Sequence, residues 1–188
     1  MKYTDRFLQD WRIKKALAHI SPQSEVLDIG CFDALMFQKL GNNLRYGIGI
    51  DPLVQEQKTE KYELIRGFFP DALPNGKTFD AITLLAVLEH IPATVMDSFS
   101  KACFEYLKPN GKLIITVPDA KVDHILEVLK FFRLIHGMSL EEHYGFDVSQ
   151  TPDIFTQAGF SLLRHETFQL GLNNLFVFQK TEKKTILN

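Results

Sequence analysis

The chain has 188 residues, 45% of them hydrophobic, and 21 Lys and Arg against 23 Asp and Glu give a formal net charge of −2. That length fits one domain burying around 70% of its unfolded surface. The near-zero charge, with Lys and Arg spread along the chain, excludes the basic stripe expected of a nucleic-acid-binding surface, and the apolar runs have strand length, too short for a membrane span.

Residues 1–10 carry charges throughout and no apolar core, so no signal peptide is expected. An N-terminal helix is expected over about Thr4 to His19, with Phe7, Trp11 and Leu17 near one face and Ser21-Pro22 as its stop. Strands are expected near 25–29, 45–50, 62–66, 79–84 and 112–117, alternating with helices near 34–40, 53–57 and 93–106. Such alternation means a parallel sheet covered on both faces. After Pro118 the pattern changes. A helix over Lys121 to Gly137 carries Val122, Ile125, Leu126 and Leu129 on one face and Val128, Phe131 and Ile135 on another. A well-buried helix, a substrate cap and a homodimer contact all fit that pattern. Thr151 to Gly159 then has a threonine cap, Pro152 at the first helical position and a glycine stop. Glu166 to Leu170 and Leu175 to Phe178, separated by Gly-Leu-Asn-Asn, read as a hairpin, and a polar tail begins at Thr181. The expected organisation is a single domain over 1–188: an N-terminal helix in 1–20, a core in 24–118, a cap region in 119–150, and a helix and hairpin in 151–180.

Two motifs carry the chemistry. Glu25-Val-Leu-Asp-Ile-Gly-Cys-Phe-Asp-Ala34 is an apolar run ending in an acid, a glycine and a turn. Tyr46-Gly-Ile-Gly-Ile-Asp-Pro52 is a second run ending in Asp51. Side by side in an open α/β sheet, they place the first turn and Asp51 at the carboxyl edge, where ligands bind, and Asp51 can accept hydrogen bonds from ribose hydroxyls. The glycine spacing Gly-x-Gly-x-x-Gly that lets backbone amides approach a pyrophosphate is missing. Asp28, two residues before Gly30, repels a phosphate and suits the ammonium and sulfonium groups of S-adenosylmethionine.

At these residues the chain resembles the class I S-adenosylmethionine-dependent methyltransferases. Phe79 to Pro92 looks like that family's fourth strand and following loop, and Leu107 to Pro118 like the turn into its fifth, so the resemblance covers about 24–118 in the family's order. It implies an α/β fold with a doubly wound, Rossmann-like sheet of seven strands, mostly parallel with an antiparallel C-terminal strand. It also implies S-adenosylmethionine as cofactor and a methyl acceptor, here a small molecule. Carried onto this chain, the cofactor residues are Asp28, Gly30, Cys31 and Phe32 in the first loop, Asp51 and Pro52 after the second strand, Phe68 and Phe69 as adenine-facing rings, and Leu85 after the fourth strand. The chain departs from the family at two places. Gly30-Cys-Phe-Asp-Ala34 keeps only the first of three glycines, with Phe32 where positive φ is costly. Arg66-Gly-Phe-Phe-Pro70 lacks the acid that receives the adenine amine in relatives.

Methyl transfer asks mainly for alignment of the reacting atoms and exclusion of water. A base is needed where the acceptor has a proton to lose, and His90 and His143 are the candidates. The plainer roles are packing beside the cofactor for His90 and a solvated loop for His143. Asp51 before Pro52 also fits a helix N-cap, and Asp28 fits a structural acid that ties the first loop. The remaining histidines, and the two cysteines Cys31 and Cys103, have no ligand or redox spacing, so no metal is expected and the setting reads as reduced and cytoplasmic. Two other functions fit less well. One is a non-catalytic cofactor-binding or partner-binding module of the same fold. The other is a nicotinamide oxidoreductase, disfavoured by the missing glycines and the absence of a Tyr-x-x-x-Lys pair.

Overall fold

The computed structural model describes residues 3–119 and 146–181. In chain order the main elements are α1 (Tyr3–Leu17), β1 (Ser24–Ile29), α2 (Leu35–Leu40), β2 (Leu44–Asp51), β3 (Gln57–Lys58), β4 (Tyr62–Arg66) and β5 (Phe79–Leu85). They are followed by α3 (Met96–Tyr106), β6 (Leu107–Pro118), α4 (Thr151–Gln157), β7 (Phe160–Phe168) and β8 (Asn173–Lys180). One sheet runs in the order β3-β4-β2-β1-β5-β6-β8-β7. The pairs β4/β2, β2/β1, β1/β5 and β5/β6 are parallel, and β8 runs antiparallel to both β6 and β7. Apart from the two-residue edge strand β3, this is the expected seven-stranded, doubly wound sheet with an antiparallel C-terminal strand.

Strand alternation splits the core in two. On one face Leu27, Ile29, Ile82, Leu84 and Ile115 pack with Phe99 and Cys103 of α3 and Phe155 of α4. On the other, Val26, Ala81, Ile114, Leu175 and Val177 pack with Ile13 and Ala16 of α1 and with Met36, Phe37 and Leu40 of α2. Chain order reverses direction at β1: β2 and β4 lie to one side, β5 and β6 to the other. The switch point between β1 and β5 opens a crevice at the carboxyl edge, as in other open α/β sheets.

On α1, Phe7, Trp11 and Leu17 do share one face, with Phe7 edge-on to Trp11, and Ile13 and Ala16 are the residues buried against the sheet. Four sequence expectations are corrected. The helix near 53–57 is absent, because Asp51 Oδ1 accepts the Leu53 amide at 2.7 Å in a turn and the chain then enters β3, whose Lys58 pairs with Glu63 at 3.1 Å. The segment 107–111 belongs to β6 and bulges: Phe79 pairs with Leu107 but Ala81 with Lys112. The C-terminal hairpin begins at Phe160 and turns over residues 169–172, so Asn173 and Asn174 pair inside β8. Thr151 opens α4 without capping it; Gln150 is the cap residue and makes no side-chain cap bond, while Asp147 caps the preceding single turn through Ser149 N. The expected helix over 121–137 and His143 lie outside the described residues.

Candidate functional site

The site forms where β1 and β2 end. Gly30, at φ +75°, turns the chain out of β1, and its amide donates to the Ile50 carbonyl at 2.8 Å. A Cβ at Gly30 would stand 2.3 Å from Val87 Cγ2, so the loop after β5 closes directly onto this glycine. Phe32 follows at φ +49°, the left-handed conformation that sequence reasoning held to be costly there. The cost is met by Asp51, whose Oδ2 accepts the Phe32 amide at 3.2 Å while Oδ1 holds Leu53. Asp51 is therefore no helix cap: it ties the glycine loop to the end of β2, and each oxygen keeps a lone pair for a ligand. Asp33 Oδ1 accepts the Leu35 amide at 2.9 Å and starts α2.

Phe32→Gly is expected to raise stability by up to about 1 kcal/mol. Left-handed backbone costs a non-glycine residue about 1–2 kcal/mol, and glycine gives back about 0.5–1 as chain entropy. The ring is 55% exposed and has little packing to lose. Urea midpoints measure the change; a clear loss of stability would show that the ring packs after all.

Beside this loop lies a cleft of about 290 Å³. Asp28, Gly30, Cys31, Phe32 and Leu85 line it, together with Met36 of α2 and Ala86 after β5. The opposite wall is α1, through Gln9, Arg12 and Ile13. Asp28 is 5% exposed, and its Oδ1 accepts the Thr83 hydroxyl at 2.6 Å. Burial raises its carboxyl from 3.8 to about 7, the charges of Asp33 and Asp51 push the same way, and the Thr83 bond opposes them. The Asp28 side chain thus ties β1 to β5 through Thr83. Cys31 turns its sulfur toward Gly49, and burial followed by the charge of Asp28 pushes its thiol upward, away from nucleophilic chemistry.

The structure does not gather every expected residue. Phe69 is partly buried against the core, edge-on to Phe99 and to Tyr106 with ring centroids 5.5 Å apart in each pair. Phe68 stays 71% exposed, near the carboxyl edge with Leu53, itself 78% exposed. Pro52 is exposed in the turn. His90 ends a single 3-10 turn after β5, exposed and outside the cleft lining. Among the described residues, no cluster of His, Cys, Asp and Glu is arranged to hold a metal ion, and no helix is long and apolar enough to cross a membrane. Sequence reasoning missed Gln9 and Arg12. Their signal was present: Gln9, Arg12, Ile13 and Ala16 fall at i, i+3, i+4 and i+7, one helical stripe on which two polar residues continue a buried pair.

A family model described as a methyltransferase domain matches residues 2–165. The chain belongs to this methyltransferase family. Its fold and its motif order are those of the class I S-adenosylmethionine-dependent methyltransferases. Among curated relatives, the mitochondrial ubiquinone biosynthesis O-methyltransferase of Bos taurus is 31% identical over 107 residues, covering 49% of this chain and 28% of that protein. The chain spans less than half the length of the curated relatives it matches. Among solved structures, magnesium protoporphyrin IX methyltransferase from Synechocystis PCC 6803, with bound S-adenosylhomocysteine, superposes with a TM-score of 0.69 at 15% identity over 96% of this chain and 89% of that one. The complex of the Haloferax volcanii Trm112 methyltransferase activator with a methyltransferase gives 0.71 at 15% identity, over 95% and 94% of the two chains. At these identities the superpositions establish the shared fold.

Proposed function

We propose that this methyltransferase domain binds S-adenosylmethionine in the crevice between β1 and β5 and passes its methyl group to a small-molecule acceptor. The observation that carries the reading is the Asp51 carboxylate, bonded to the Phe32 amide at the carboxyl edge of the sheet and one strand away from the acidic cleft. The residues fit the cofactor. Asp51 presents acceptors to the ribose hydroxyls, Phe68 and Leu53 offer exposed apolar surface to adenine, and Asp28 offers a carboxyl to the ammonium group. The unusual loop fits as well, since Phe32 adopts the positive φ of the glycine it replaces and leaves the backbone path open. S-adenosylmethionine supplies a methyl group on a sulfonium already activated for attack. The chain's part is to hold and to shield: α1 closes one side of the cleft, Ile13 and Met36 keep it apolar, and Leu85 and Ala86 close the β5 side. His90, exposed at the end of the turn after β5, is not among the residues that line this cleft.

Isothermal titration with S-adenosylmethionine, S-adenosylhomocysteine and NAD tests the reading. Micromolar binding of the first two and none of NAD is expected. Failure of both adenosyl ligands to bind would instead support the non-catalytic module.

A further inference from the structure

Asp28 and Thr83 stand directly opposite each other in the parallel β1/β5 register. Alternation puts Asp28 on the face of Val26 and Thr83 on that of Ala81, the face that α1 and α2 cover. Thr83 is completely buried, and Asp28, 5% exposed, lines the cleft. The Thr83 hydroxyl has three acceptors within reach: Asp28 Oδ1 at 2.6 Å, the Leu27 carbonyl at 3.3 Å and Met36 Sδ at 3.5 Å. It carries a single proton, and the short bond to the carboxyl group takes it while Asp28 is ionised.

Protonation of Asp28 does not break the pair. An acid proton on Oδ1 is donated to Thr83 Oγ1, and the hydroxyl proton then turns to the Leu27 carbonyl. A hydroxyl set between a carboxyl group and a carbonyl thus serves both states, with the stronger bond in the ionised one. The other groups around Asp28 do not take over this role. Burial raises its carboxyl, Asp33 in the first loop and Asp51 at the end of β2 push the same way, and the Thr83 bond lowers it. Cys31 is held as a thiol by burial. Arg12 on the α1 wall has an interaction of its own within the chain, and Met36 of α2 is uncharged.

We propose that Thr83 is a positioning residue of this cleft: by holding Asp28 Oδ1 in both protonation states, it lets the carboxyl group change from a neutral acid to a carboxylate that meets a cationic ligand group through Oδ2. The protons balance. The ligand cation keeps its own, the carboxyl proton leaves to solvent, and the Thr83 proton turns from Leu27 back to Oδ1. Identifying the cation with the ammonium group of S-adenosylmethionine rests on the proposed function; the hold of Thr83 on Asp28 does not.

The test begins with carbon-13 NMR of the Asp28 carboxyl carbon in the free protein from pH 5 to 10, for wild type, Thr83→Val and Thr83→Ser. Loss of one bond to a charged acceptor is expected to move the midpoint of Thr83→Val upward by about 1–2 pH units, and serine returns it to within about half a unit. Thr83→Cys, a weaker donor, shifts it the same way by less and stands in for the valine variant should that chain not fold. Calorimetric titration with S-adenosylhomocysteine follows. Thr83→Val is expected to bind about 5–50-fold more weakly than wild type at pH 7 and within about twofold of it at pH 9, because the shifted midpoint lowers the ionised fraction at neutrality. An unmoved midpoint in Thr83→Val overturns the inference, and so does a serine variant that fails to restore it. An affinity ratio that is the same at every pH overturns the positioning role, since a merely structural defect has no reason to follow the carboxyl titration. A shifted midpoint in a protein that binds no S-adenosylhomocysteine supports the hold of Thr83 on Asp28 and overturns the cofactor reading.

Discussion

Asp51→Ala is expected to weaken S-adenosylhomocysteine binding by at least about tenfold while the protein stays folded, because hydrogen bonds to a charged acceptor contribute about 1.5–3 kcal/mol each. The loss has two sources. The carboxylate is the acceptor proposed for the ribose hydroxyls, and it also holds the Phe32 and Leu53 amides that shape the loop around them. Both amides belong to exposed residues, so water replaces the carboxylate there and folding stability falls by only about 1 kcal/mol. Asp51→Asn separates the two roles. Its single carbonyl oxygen retains one of the two amides and turns an N–H toward the other, so binding is expected to fall between wild type and the alanine variant. Calorimetric titration, paired with urea unfolding of each variant, reads both quantities. An alanine variant that binds like wild type would remove Asp51 from the cofactor site.

Asp28→Asn is expected to make the protein more stable than wild type at pH 8 and to leave it about equal at pH 4. The folded-state carboxyl titrates near 7 against 3.8 for a free one, chiefly through burial, with Asp33 and Asp51 adding their charge and the Thr83 hydroxyl opposing. The sign follows from proton counting. Between those two values the folded chain keeps a proton that the unfolded chain has lost, so the stability Asp28 contributes is full below about 4 and is lost as the pH rises through 7. Asparagine keeps the Thr83 bond to Oδ1 and carries no charge, so the difference between variant and wild type isolates this group. A rise from 3.8 to about 7 corresponds to about 4 kcal/mol across the window, at 1.36 kcal/mol for each unit. Urea unfolding of both proteins at intervals from pH 4 to 8 measures it, and parallel pH profiles would show that Asp28 is solvated. On the proposed function, an ammonium group arriving beside Asp28 favours its ionised form. Binding near pH 7 then releases a proton, which titration in buffers of different ionisation enthalpy detects, and the asparagine variant releases none.

The two halves of the site differ in how far they were legible. Gly30 and Asp51 stand at the ends of apolar strand-length runs, and the alternation of those runs is a property of neighbouring residues. The order of runs and turns was enough to anticipate the sheet, the adjacency of its first two long strands and both acidic strand ends. The absence of the second and third loop glycines was visible, but its consequence was not. Whether Phe32 could take a left-handed φ depended on Asp51, nineteen residues later, being placed to hold its amide. The helix near 53–57 failed for a similar reason: Asp51-Pro52 is good helix-start chemistry, yet the same carboxylate serves a turn.

What the amino-acid order determined by itself is therefore the set of local elements and the acids at their ends, since strand period and turn chemistry act over a few residues. The tertiary structure decided everything that depends on burial between distant segments. Packing against α3 holds Phe69 partly buried at the edge of the core, while Phe68 stays exposed. Burial beside Thr83, 55 residues away, moved Asp28 toward neutrality. The Gln169 bond to Leu8, spanning 161 residues, tied the hairpin turn to α1 and oriented Asn173 through its bond to Gln169. Desolvation and hydrogen-bond satisfaction belong to the assembled environment of an atom, and no window of sequence contains that environment.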